Sequence, residues 1–89
     1  IMAAKLKFDL VSPERLVLSA EVDAVQIPGA EGDFGVLPNH SPVMSVIREG
    51  VLRVENDGTV TEYQLDGGFA DVTPEGVTVL AETITGSDA

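Results

Sequence analysis

Apolar residues recur at every second position in short runs, each closed by a turn containing Gly or Pro. That alternation restricts the chain to a β fold. In Lys5-Leu6-Lys7-Phe8-Asp9-Leu10, the side chains of Leu6, Phe8 and Leu10 share one face, because successive strand residues point to opposite sides. Ser12-Pro13-Glu14-Arg15 fits a type I turn, with Pro presetting φ at the second position. Residues 15–20 and 22–27 read as further strands, and Ile27-Pro28-Gly29 as a type II turn. Asn56-Asp57-Gly58, between Val51–Val54 and Thr59–Leu65, is a strong hairpin signal. Asp66-Gly67-Gly68 and Thr73-Pro74-Glu75-Gly76 supply two more turns, before Phe69–Val72 and Val77–Ala81. Met44, Ile47 and Val51 also match helical spacing, but Gly50 interrupts them and the β-branched neighbours favour a strand. The expected architecture is all-β: a flattened sandwich or barrel of many short strands.

At 89 residues the chain is expected to hold one domain. Fifteen acids against five bases leave a net charge of −10, which excludes nucleic acid, whose phosphates need clustered Lys and Arg. No base follows Arg53, whereas eight acids do, from Glu55 to Asp88. Such a surface either keeps a small domain in solution or complements a basic or polar partner. There is no cysteine, hence no disulfide framework and no thiol chemistry, as expected of a reducing compartment. No apolar run approaches the ~18 residues of a membrane span, and no basic-then-apolar leader opens the sequence, so a cytosolic location is expected. Ile1 ahead of Met2 reads as an appended residue, making residues 1–4 a scar and flexible start.

Residues 28–42 read as a long irregular loop holding three glycines, three prolines and the one histidine. Phe34, Val36 and Leu37 are apolar anchors that would order it. Enzyme motifs fail in turn. Gly29, Gly32 and Gly35 fall every third residue, matching neither a dinucleotide fingerprint nor a phosphate loop. Glu31 and Asp33 would share a side of an extended chain, but no nucleophile or base accompanies them. His40 alone cannot hold a metal that needs three or four ligands. No catalytic residue, metal or cofactor is expected. The competing class is a free-standing acidic β-sandwich that binds a small ligand, a carbohydrate or a protein in the loop of residues 28–42, where Phe34 and Tyr63 are the aromatics able to offer an exposed platform.

The stretch Val25 to Pro42 carries the pattern G-x-x-G-D-x-G-V-x-P-x-H-x-P, and it closely resembles the epsilon subunit family of F-type ATP synthases, equivalent to the mitochondrial delta subunit. The likeness runs without gaps from about Lys5 to Glu82, through Phe8–Glu14, Ile47–Gly50, Asp66–Phe69 and Val77–Glu82. It implies a β-sandwich of about ten strands over residues 5–82, with residues 83–89 a tail at the possible start of a helical region. Family members usually continue into a C-terminal helical pair that regulates hydrolysis, and residues 83–89 stop where such a pair is expected to begin. The resemblance further implies a non-catalytic place in the central stalk, beside the gamma subunit, on the c-subunit ring, and only indirectly in touch with the rest of F1. It assigns ring contact to Asp33, with Glu31 as its neighbour, and gamma contact to Ser12 and His40. The implied location is peripheral, at the cytoplasmic face of the bacterial inner membrane.

Overall fold

In the computed structural model, residues 5–39 and 41–86 are described, and they form ten strands and no helix. The first five are β1 (Leu6–Val11), β2 (Leu16–Val22), β3 (Ala24–Gly29), β4 (Gly32–Val36) and β5 (Val43–Ile47). The rest are β6 (Gly50–Asn56), β7 (Thr59–Leu65), β8 (Gly68–Thr73), β9 (Gly76–Leu80) and β10 (Ile84–Gly86). They join one sheet in the order β10-β7-β6-β3-β5-β8-β9-β1-β2, with β4 attached to β3. The sheet curls over a single apolar core, to which strands from both of its halves contribute. The all-β expectation holds, and Met44 to Ile47 lie in a strand.

Alternation explains each face. Leu6, Phe8 and Leu10 are buried while Lys7 is exposed; Leu52 and Val54 are buried while Val51, Arg53 and Glu55 are exposed. Phe8, Leu10, Ile27, Leu52, Leu65 and Val79 lose all contact with solvent. Each such side chain contributes roughly 1.5–3 kcal/mol. Among the described residues no charged side chain is buried, and Tyr63 brings the one side-chain hydroxyl into the core, so the interior is held chiefly by packing.

Turn chemistry sets the connections. Asp57 and Gly58 both have positive φ, 54° and 81°, the type I′ geometry whose twist matches a tight hairpin. Lys5 closes over this turn, its ammonium 3.0 Å from both Asp23 and Asp57. The hydrogen bond to Asp23 raises the Lys5 pKa. Asp23 is held below the usual carboxylate range, first by the Asp57 backbone N–H (2.8 Å) and then by Lys5.

Three local expectations change. Ile27-Pro28-Gly29 is not a turn but the end of β3, and the supposed irregular loop contains β4, which pairs with β3 from Val25↔Val36 to Gly29↔Gly32. Residues 84–86, expected in the tail, form β10 on β7. Pro28 misled the reading because proline usually ends strands. Here β3 changes partner at Pro28: residues 24–26 pair with β6, and Gly29 pairs with β5. The missing N–H falls in the gap between those two partners, and the Pro28 carbonyl still accepts from the Arg48 N–H at 3.0 Å. Residues 1–4, expected as a flexible start, and the last three residues of the expected tail lie outside the described residues.

Candidate functional site

The β3–β4 hairpin turns through two residues, Ala30 and Glu31, between the pair Gly29↔Gly32. Gly29 has to be glycine because a Cβ there would lie 2.6 Å from the Gly32 carbonyl oxygen and 2.9 Å from the Phe34 ring. Two backbone bonds staple the hairpin to β5: Ala30 N–H to Val46 O (2.8 Å) and Arg48 N–H to Pro28 O (3.0 Å). Phe34, partly buried, packs against the core from the hairpin side. A turn fixed along β5 and anchored by an aromatic ring is a stiff mount for whatever it presents.

It presents acids. Glu31 sits exposed in the turn, and Asp33 lies on β4 opposite Pro28. The two are therefore not side by side on one extended chain, as their spacing suggested. Asp33 is ion-paired with Arg48, a partner the sequence reading missed because the two are 15 residues apart and meet only through the β3–β5 staple. Both side chains stay nearly half exposed, so the pair is worth at most ~1 kcal/mol and can exchange for other partners. Beside it runs an open trough of about 840 Å³, lined by Glu31, Asp33, Phe34, Val43, Met44 and Val46 among others.

Ser12 does local work. Its hydroxyl donates to the Arg15 carbonyl at 3.2 Å and accepts from the Arg15 N–H at 3.3 Å, closing the β1–β2 turn. It follows Val11, which aligns through Leu80, Phe69 and Val46 with the hairpin tip, four strand positions away. At about 4.8 Å per strand that is roughly 19 Å. Ser12 and the acids thus share one edge of the sheet without touching. His40 lies outside the described residues. Its neighbour Asn39 donates its N–H to Pro74 O (3.1 Å) in the β8–β9 turn, at the far end of those strands from Gly68.

Among the described residues no group of three or more His, Cys, Asp or Glu is placed to hold a metal, and no helix is long and apolar enough to cross a membrane. Residues 5–87 match the sequence family described as the ATP synthase Delta/Epsilon chain, beta-sandwich domain. The chain belongs to this delta/epsilon family. It is 60% identical over 79 residues to the ATP synthase epsilon chain of Caulobacter vibrioides, a match covering 89% of this chain and 92% of that one. The epsilon chain of Maricaulis maris is 60% identical over 81 residues, 91% of this chain but 61% of the relative. The chain thus spans about three fifths of the length of several epsilon chains. Among solved structures, a chain of the Euglena gracilis mitochondrial ATP synthase (OSCP/F1/c-ring, rotational state 1) superposes with TM-score 0.89 at 27% identity, over 97% of this chain and 56% of that one. A chain of the Tetrahymena thermophila ATP synthase central stalk/c-ring structure shares the fold, with TM-score 0.76 at 11% identity.

Proposed function

We propose that this epsilon-family domain is a non-catalytic coupling part of the ATP synthase rotor. It joins the gamma subunit to the c-subunit ring, with the remainder of F1 contacted only indirectly, at the cytoplasmic face of a bacterial inner membrane. The supporting observation is the mount itself: Glu31 and Asp33 project from a hairpin stapled to β5 and paired along β3, above a core that buries no charged side chain among the described residues. A torque-bearing joint has to resist shear, and close-packed interiors deform little. Asp33 can pass from Arg48 to donors on the ring, exchanging one charge-assisted hydrogen bond for another with little loss. Ser12 and His40 are assigned to the gamma side, and no cofactor or metal takes part.

A matched pair of substitutions tests the hairpin's role. Asp33 and Glu62 each make one exposed ion pair with an arginine, Arg48 and Arg53 respectively. Asp33→Arg and Glu62→Arg therefore each break one exposed pair with an arginine. Asp33→Arg is expected to weaken attachment of the soluble sector to purified c-ring, whereas Glu62→Arg leaves it near wild type. Equal loss from both would remove the hairpin's special role.

A further inference from the structure

The guanidinium of Arg48 is seated at the root of the acidic hairpin. Its Nη1 donates to the Glu49 carbonyl at 3.2 Å, and its Nη2 donates to Asp33. A Cβ on Gly50 would lie 3.0 Å from Nη1 and 3.0 Å from the Pro28 Cβ, so the guanidinium occupies space that glycine leaves open, next to the proline ring. Pro28 shows how closed this seat is. Strand alternation turns Ile27 and Gly29 to the core and Pro28 outward, yet Pro28 is fully buried. Asp33, its register partner, and Arg48, whose N–H donates to the Pro28 carbonyl at 3.0 Å, flank it and pair with each other.

This pair is only half used. A guanidinium carries five N–H groups, and two of them have partners. Among the described residues no group accepts from the other three, and only one oxygen of Asp33 accepts a bond. Both side chains are nearly half exposed, so free donors and a free acceptor face solvent side by side. Arg53 is as exposed, but its Nε lies 2.7 Å from Glu62, its register partner on β7. The surrounding charge narrows what can bind. Glu31 and Glu49 stand within two residues of the pair, on a chain of net charge −10. A dense anionic surface such as a phospholipid leaflet is repelled by that field, whereas a protein surface offering one carboxylate beside one donor is not.

We infer that Arg48 is a second ring-contact residue, whose guanidinium takes a carboxylate on the c-ring surface as Asp33 takes a ring donor. The inference rests on the rotor reading above and deepens it. If Asp33 alone turned to the ring, a seated guanidinium would be stranded without its anion in a closing interface, and leaving a charge unpaired there is costly. A ring carboxylate removes that cost. One internal pair is then exchanged for two pairs across the joint, and the planar fork of arginine fixes orientation as well as attraction. Because Arg48 is already seated in the free chain, little side-chain freedom is lost on binding. Opposite charges side by side also set the register of the joint, since a shift by one contact would bring like charges together.

The test measures attachment of the soluble sector carrying this chain to purified c-ring, in a double-mutant cycle of Arg48→Gln and Asp33→Asn. Unfolding curves check that each variant is folded. Arg48→Gln is expected to weaken attachment ~10-fold, and by at least ~3-fold when Asp33→Asn is already present. Arg48→Lys should recover only part of the loss, because an ammonium lacks the planar fork. Arg53→Gln should attach as wild type does. Unchanged attachment by Arg48→Gln overturns the inference, as does an equal loss from Arg53→Gln. So does an effect of Arg48→Gln that vanishes beside Asp33→Asn, which would make Arg48 no more than the tether of Asp33. Replacing Asp by Asn and Glu by Gln on the water-exposed surface of the ring should erase the difference between wild type and Arg48→Gln; a difference that survives overturns the carboxylate. Binding to phosphatidylglycerol vesicles that is lost in Arg48→Gln would assign the guanidinium to a lipid phosphate and overturn it too. A wild-type sector that ignores the ring altogether would instead overturn the rotor reading on which the inference stands.

Discussion

The cost of Gly68→Ala can be worked from the structure. Gly68 opens β8 at φ +154°, and a Cβ built there would lie 1.9 Å from the Leu80 carbonyl oxygen and 3.1 Å from Ala81 Cα. Those are backbone atoms of β9 and its continuation, so no side chain can rotate away. The strands have to separate by roughly 1 Å. An alanine at positive φ costs ~1–2 kcal/mol, and forcing extra atoms into a packed contact costs ~1–3 kcal/mol. Restricting the unfolded chain returns ~0.4–1 kcal/mol. The net loss is about 1–4.5 kcal/mol, and at ~4–8 °C per kcal/mol for a domain of this size the melting temperature falls by at least ~4 °C. Gly35→Ala is the control, because a Cβ there meets nothing within 4 Å and it should stay within ~0.5 kcal/mol of wild type. Urea unfolding of both variants decides the matter. A Gly68→Ala loss below ~1 kcal/mol would refute the close-approach argument.

Two further predictions concern the clip and the turns. Asp23, whose pKa is lowered on folding, stabilises the fold above its ordinary pKa of about 4, and that stabilisation is lost as pH falls through the lower folded value. Melting temperature should therefore drop on acidification below about pH 4, and Asp23→Asn should flatten that slope; an identical acid profile would show that the clip contributes nothing. Ser12→Ala removes an exposed pair of turn hydrogen bonds and His40→Ala removes the imidazole, so each should lower gamma affinity with less than ~1 kcal/mol change in stability. A large stability loss in the isolated chain would make the residue structural instead.

The sequence disclosed those features whose causes are local. Period-two alternation placed Leu6, Phe8 and Leu10 in the core, and Asn56-Asp57-Gly58 declared its hairpin, because each depends on neighbouring residues only. Pro28 was misread because what makes proline tolerable there is non-local: a gap between the ends of β5 and β6 along β3. The same holds at the site. Glu31 and Asp33 stood out by composition, but Arg48 reaches Asp33 only after β3 and β5 are stapled. The outward-facing Val46, Phe69, Leu80, Val11 and Leu16 are the extreme case, since they become neighbours only through four separate strand pairings.

The most direct test of a stiff, chemically inert coupler is ATP-driven proton pumping by a synthase stripped of its epsilon chain and resupplied with this one. Restored pumping for each ATP hydrolysed, with no ATP turnover by the added chain alone, is the predicted result. Pumping that remains uncoupled after the chain has bound, or hydrolysis by the chain in isolation, would contradict the account.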